Sequence, residues 1–177
     1  MREYFSPVDF LVLKPVILLA LFGMQPLWGR LSDRVGTKRV LAIGGIATAL
    51  IPVFLLVADN VWTLGAALIY DGIAWAAFNL AAGNYLFDIV TPPKRARCTA
   101  FYNLFFSTGL ALGIFAGGLV AAYVPLPLTI AGIRIEHAFT LLLVLSALFR
   151  LLPNVLLLGS FGEYRLRPAE RGARQAI

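Results

Sequence analysis

The stretch GRLSDRVGTKR, residues Gly29–Arg39, places four basic side chains, one aspartate and two glycines between two long apolar segments. Residues 15–28 before it and residues 40–58 after it contain no charged side chain. Apolar segments of this length are typical of membrane-spanning helices, and glycine permits a sharp reversal between two of them. Basic residues accumulate in cytoplasmic loops, so the sequence predicts a helical hairpin in a membrane, with this stretch as a tight cytoplasmic loop.

The composition of the whole chain is that of a membrane protein. Of its 177 residues, 60% are hydrophobic and 14% are charged, whereas soluble domains average about 25% charged. The net charge of +6 would suit nucleic acid, but the basic residues lie between apolar segments, so we expect no nucleic-acid partner. With one cysteine and one histidine, the chain lacks any motif for a disulfide, a metal or haem, and we expect no cofactor.

The distribution of apolar segments predicts an all-α, polytopic bundle of five transmembrane helices in a lipid bilayer. The predicted spans are residues 8–28, 40–58, 61–90, 98–123 and 136–158. They form a transmembrane domain over residues 1–159, with a loop at 124–132 and a basic cytoplasmic tail at 160–177. A second basic loop, residues 91–97, lies on the side of the first because two spans separate them.

Most Lys and Arg residues therefore share one side of the bilayer. This asymmetry predicts a multi-pass protein of the cell membrane, the inner membrane in a bacterium, with its N-terminus outside and its C-terminus in the cytoplasm.

Asp71 is the strongest candidate for function inside a span. It lies about ten residues into the third span, which at ~1.5 Å per residue is ~15 Å deep, near the bilayer midplane. A carboxylate at that depth must be paired, hydrated or protonated, so Asp71 either contacts a proton or cation pathway or is a structural group that faces another helix. Asn79 lies about 80° further round the same helix and is expected to border the same cavity. Tyr70 and Trp75 either line a substrate path or serve as packing and interface anchors.

Three further features concern packing and anchoring. Gly109, Gly113 and Gly117 recur at spacing four and predict a groove for close helix contact. Asp88, near the end of the third span, is expected to stabilise its cytoplasmic end. Arg150 is expected to extend from the last span to the cytoplasmic interface rather than to bind a ligand.

Residues 29–39 resemble the signature G-x-L-[AS]-D-R-x-G-x-[KR]-[KR] of the major facilitator superfamily of membrane transporters. The matching residues are Gly29, Leu31, Ser32, Asp33, Arg34, Gly36, Lys38 and Arg39. The rest of the chain is similar to the C-terminal half of that family, with a long polar helix ending in Asp88, a Pro-Pro-Lys-Arg-Ala-Arg loop, and a Tyr102-Asn103 pair opening a glycine-rich helix. The resemblance implies that the five spans correspond to helices eight to twelve of a twelve-helix transporter.

The same resemblance implies a function. It indicates part of a secondary active transporter that moves a small solute by alternating access, with ion or proton coupling as an option. The family uses the signature loop as a conformational latch, which here would comprise Gly29, Asp33, Arg34, Gly36, Lys38 and Arg39. The alternative is a loop whose charges only orient the hairpin.

The resemblance also implies a partner. We expect a truncated or split transporter whose partner is the missing N-terminal half, or else a non-transporting remnant or subunit that assembles with another transporter half. A membrane enzyme is not expected, because the chain has no serine and histidine pair suited to proteolysis, no paired aspartates and no HExxH motif.

Overall fold

The computed structural model describes residues 7–124, 127–130, 133–135 and 137–157. Within them lie five α-helices, a short 3-10 helix at Pro92–Lys94 and two three-residue strands. The five α-helices are α1 (Pro7–Val35), α2 (Thr37–Val57), α3 (Val61–Ile89), α4 (Arg95–Tyr123) and α5 (Ala138–Leu157). In the described part of the chain, α1 to α4 are long and apolar enough to cross a membrane, and α5 is a shorter apolar helix. The prediction of an all-α membrane bundle is confirmed, and the predicted tail at 160–177 lies outside the described residues.

The first basic stretch is not the loop that the sequence predicts. Helix α1 continues to Val35 and α2 begins at Thr37, so Gly36 alone separates them. Its backbone angles, φ 98° and ψ 144°, lie in a region that is essentially reserved for glycine. The N–H of Gly36 donates to the carbonyl of Ser32 at 2.9 Å, and its carbonyl accepts from the N–H of Val40 at 3.4 Å. Both helices therefore keep their hydrogen bonds up to the break, and one residue makes the whole reversal.

The turn between α2 and α3 is also short, in agreement with the two residues left between the predicted spans 40–58 and 61–90. Asn60 precedes α3, and its side chain accepts a hydrogen bond from the N–H of Thr63 at 2.9 Å. The Thr63 hydroxyl accepts in return from the N–H of Asn60 at 3.0 Å, which completes a capping box. This reciprocal pair satisfies two donors at the start of the helix within three residues of chain.

A small antiparallel hairpin lies where a loop is predicted between α4 and α5. Strand β1 (Leu128–Ile130) pairs with β2 (Ile133–Ile135), with Leu128 opposite Ile135 and Ile130 opposite Ile133. Pairing within the connection satisfies main-chain groups without the help of a third element.

Helix α3 is the centre of the described bundle, because α1 and α2 both pack along it and α5 packs on α2. Two glycines permit the close approach of helix backbones. A Cβ at Gly44 of α2 would lie 2.7 Å from the main-chain nitrogen of Phe78, and a Cβ at Gly72 of α3 would lie 2.8 Å from the Cβ of Ala20. Near the Gly36 break, Val40, Ala77 and Ala81 form a fully buried core on which Trp28 and Leu31 pack.

Helix α4 lies at the edge of the bundle. It contacts α5 and α3 sparsely, and most of its residues are exposed. Of the three glycines predicted to form a groove, Gly117 lies within contact distance of another helix, with its Cβ position 3.8 Å from Leu142. Gly109 and Gly113 have nothing within 4 Å of theirs. The groove is thus open along most of its length among the described residues.

Candidate functional site

A chain of three polar side chains closes the α1–α2 break onto α3. The hydroxyl of Ser32, which is buried, donates to the hydroxyl of Thr37 at 3.4 Å. The Thr37 hydroxyl donates to the Oδ2 atom of Asp88 at 3.1 Å. The predicted role of Asp88 at the cytoplasmic end of α3 thus has a defined contact, on the first residue of α2.

The position of Asp88 also suits the helix dipoles. Helix α2 has no acidic residue in its first turn and no side-chain cap at Gly36. The carboxylate of Asp88, bonded to Thr37, therefore supplies negative charge to a helix N-terminus that lacks its own. At the C-terminus of α3, Arg95 supplies the opposite charge, with its Nη2 atom donating to the carbonyl of Phe87 at 3.1 Å and its guanidinium 5.5 Å from the Phe87 ring centroid.

The charged members of the signature take no part in the bonds between Ser32, Thr37 and Asp88. Asp33, Arg34 and Arg39 are exposed, Lys38 and Gly29 are partly buried, and no hydrogen bond or ion pair reaches the Asp33 carboxylate from any described residue. The structure thus divides the signature into a glycine that makes the break, hydroxyls that join it to α3, and charges left at the surface.

The candidates predicted inside α3 do not all meet at one point. Asp71 is partly buried. Its carboxylate interacts with Trp75 on its own helix through a side-chain hydrogen bond, and with Arg150 of α5 through the opposite charge. The Tyr70 hydroxyl instead donates to the carbonyl of Ala47 in α2 at 3.0 Å. Asn79 is exposed and has no hydrogen-bond partner among the described residues.

The prediction for Arg150 is wrong. Its side chain does not extend to the interface but turns into the bundle, where its Nη1 atom donates to the carbonyl of Thr48 in α2 at 3.0 Å. The guanidinium lies 5.7 Å from the ring centroid of Trp75 and interacts electrostatically with Asp71. The physical reason is that these partners on α2 and α3 offer an acceptor, an aromatic face and an opposite charge, which together outweigh exposure at the interface.

Asn154 follows one helical turn after Arg150 and continues this contact. Its Nδ2 atom donates to the carbonyl of Gly45 at 3.2 Å and to the carbonyl of Arg150 at 2.7 Å. The α2–α5 interface therefore has two cross-helix hydrogen bonds one turn apart. No group of three His, Cys, Asp or Glu side chains that could hold a metal ion occurs in the described residues.

Comparison with known proteins identifies the family. The sequence model of the Major Facilitator Superfamily matches residues 15–176, which is nearly the whole chain. This chain belongs to the major facilitator superfamily. The match confirms the resemblance first seen in residues 29–39, and it agrees with the prediction of a multi-pass membrane protein that is not an enzyme.

Several curated members of the superfamily resemble the chain. The class H tetracycline resistance protein of Pasteurella multocida is 32% identical over 75% of this chain and 34% of its own length. The class C tetracycline resistance protein of Escherichia coli is 32% identical over 60% of this chain and 28% of its own length. Multidrug resistance protein 2 of Bacillus subtilis is 27% identical over 70% of this chain and 29% of its own length.

This superfamily member thus spans about a third of the length of the curated relatives that it matches. No solved structure matches the chain significantly.

Sequence reasoning on this superfamily member missed the roles of Thr37, Asn154 and Thr48. A usable signal was present for α5, since Arg150 and Asn154 are four residues apart and so share one helix face. Nothing in the local pattern shows which helix that face meets, because its partners lie 102 and 109 residues away in the sequence.

Proposed function

We propose that this chain is part of a secondary active transporter that moves a small organic solute by alternating access. The observation that carries the proposal is the family match over residues 15–176. Transporters of this superfamily bind their substrate between two helix bundles, so the chain is proposed to act with a complementary N-terminal half. That half is supplied either by further residues of the same polypeptide or by a second chain.

The complementary half is proposed to pack on α4. This helix is exposed over most of its length, and Gly109 and Gly113 have nothing within 4 Å of their Cβ positions. A glycine face lets another helix backbone approach closely, and in a membrane that packing is a main source of helix association. The exposed Asp33, Arg34 and Arg39 of the signature are proposed to meet the same half and to act as the conformational latch.

The Asp33→Asn variant distinguishes a conformational latch from a loop whose charges only orient the hairpin. Because no described residue bonds the Asp33 carboxylate, we expect the variant to keep the melting temperature of the chain while lowering transport by the assembled protein. Asp33→Glu, which keeps the charge, is the matched control. Full transport by Asp33→Asn would mean that the charge is not part of a latch.

The proposed orientation places the N-terminus outside and the C-terminus in the cytoplasm of the cell membrane. It can be tested in a Cys98→Ser background with a single cysteine at Lys94 or at His137, both of which are exposed. In intact cells, a membrane-impermeant maleimide should label His137→Cys and should label Lys94→Cys after lysis only. The reverse pattern would overturn the orientation.

Asp71 is proposed to take part in ion or proton coupling, with Arg150 as its counter-charge in α5. Since the amide of Asn does not ionise near neutral pH, Asp71→Asn should remove the dependence of transport on external pH while leaving substrate binding measurable. Asp71→Glu is the control and should retain the dependence. Normal pH-dependent transport by Asp71→Asn would remove the coupling role and leave Asp71 as a structural group.

Transport itself can be tested with the drugs named by the relatives. The genomic segment that encodes this chain and its flanking reading frames would be expressed in an efflux-deficient bacterium, with the same segment carrying a stop codon within the chain as control. Lower accumulation of labelled tetracycline, or of another drug from a panel, would support the proposal. Correct membrane insertion without an effect on any solute would favour a non-transporting remnant or subunit.

A further inference from the structure

The interior of α2 lacks one main-chain hydrogen-bond donor, and a side chain of another helix supplies a replacement. Pro52 lies inside α2 and has no N–H, so it cannot donate to the carbonyl four residues earlier, which belongs to Thr48. Thr48 is buried, with 6% of its surface exposed, so solvent is a poor substitute for the lost donor. In a membrane, a main-chain group freed by proline must be satisfied by a neighbouring helix, a hydroxyl or an ordered water.

The hydroxyl of Thr48 does not serve this carbonyl. It donates instead to the carbonyl of Gly45 at 2.9 Å. The donor that reaches the Thr48 carbonyl is the Nη1 atom of Arg150 at 3.0 Å, from α5.

We propose that Arg150 is a positioning residue, whose guanidinium replaces the main-chain donor removed by Pro52 and thereby fastens α2, α3 and α5 into one unit. The guanidinium bonds α2 through Thr48 and contacts α3 through the face of Trp75, at 5.7 Å from the ring centroid. It also supplies a counter-charge to Asp71 on α3. One side chain of α5 thus acts on two other helices.

The geometry requires arginine rather than any cation. The planar guanidinium has five N–H donors spread over its edge, and its face can lie over an aromatic ring while an edge donates to a carbonyl. The ammonium group of lysine is a compact point charge and cannot make this stacked contact.

The neighbouring hydrogen bond sets the register of the two helices. Asn154, one turn beyond Arg150, donates to the carbonyl of Gly45, which precedes Thr48 by nearly one turn in α2. The residues pair in opposite chain order, 150 with 48 and 154 with 45, as antiparallel helices require. Gly45 also leaves room for Asn154, because a Cβ at Gly45 would clash with the Asn154 side chain.

A double-mutant cycle tests the proposal without any transport measurement. Pro52→Ala restores the N–H that α2 lacks, so Arg150 should become less necessary in that background. Arg150→Met should lower the melting temperature of the chain in detergent by about 5 °C or more, because it leaves the Thr48 carbonyl without its donor and removes the positive charge that interacts with Asp71. In the Pro52→Ala background, the loss should fall to about half or less.

Pro26→Ala is the matched control. It also restores an N–H inside a helix, but in α1, away from the contacts of Arg150. Arg150→Met should therefore lose as much stability with Pro26→Ala as in the natural chain. If Arg150→Met does not yield folded protein, the same comparison is made with Arg150→Lys, which keeps the charge.

The proposal predicts rescue by Pro52→Ala and none by Pro26→Ala. An equal loss of melting temperature in all three backgrounds would overturn it. If Arg150 contributed only packing or charge, the cost of removing it would not depend on whether residue 52 has an N–H. Equal rescue by both alanines would overturn it too, since that would show general stiffening of the helices. Failure of the transport proposal would leave this outcome unchanged.

Discussion

Replacing Gly36 by alanine should destabilise the protein, because the backbone at this residue has a positive φ angle. Gly36 has φ 98° and ψ 144°, and the two long helices α1 and α2 meet at this residue alone. A side chain in such a backbone region costs about 1–3 kcal/mol. The strain cannot be relieved locally, because the N–H of Gly36 is bonded to Ser32 and the next residue, Thr37, is bonded to Asp88.

The magnitude follows from that cost. A middle value of about 2 kcal/mol, at about 3 °C per kcal/mol for a chain of this size, gives a loss of about 6 °C in melting temperature. The loss can be read from thermal unfolding in detergent, followed by far-UV circular dichroism or by the fraction that stays monodisperse after heating.

Gly23→Ala is the control for this prediction. Gly23 lies inside α1 and has nothing within 4 Å of its Cβ position, so alanine adds no strain there and favours the helix. We expect no loss of melting temperature at Gly23. Equal melting temperatures for the two variants would refute the conclusion that the reversal depends on the left-handed backbone at Gly36.

Two further predictions concern the packing around α3. Thr37→Val removes the hydrogen bond to Asp88 and should lower the free energy of unfolding by about 1 kcal/mol. Thr99→Val removes a hydroxyl without a described partner and should change the stability little. Equal unfolding curves for the two variants would show that the bond to Asp88 does not stabilise the protein. Gly44→Ala should cost about 1–3 kcal/mol because its Cβ would lie 2.7 Å from the main chain of α3, whereas Gly83→Ala has open space. A Gly44→Ala variant as stable as Gly83→Ala would show that α2 and α3 can separate freely at that level.

The sequence alone was sufficient for the five helices of the described residues and for the family. Long uncharged segments can be recognised locally, because a span of about 20 apolar residues is a property of consecutive positions. The signature around Gly36 is equally local, and the family match confirms the family that it indicated. The roles proposed for Asp71, Asn79 and the latch charges stay predictions.

Local pattern failed where a residue depends on what faces it. It predicted a loop at 29–39, but charged residues can continue a helix at a membrane surface, and the break needed no more than Gly36. It also predicted that Arg150 extends to the interface, because the long side chain of an arginine in a membrane-spanning helix usually reaches toward water.

Only the tertiary structure decided the positions of Arg150 and Asp88. It brings the Thr48 carbonyl, left without its α-helical donor by Pro52, within 3.0 Å of a guanidinium 102 residues later in the chain. It likewise brings Asp88 to Thr37 across 51 residues. The physical reason is that a helix is specified by hydrogen bonds between residues four apart, whereas the partner of a buried charge is specified by which helix packs against it.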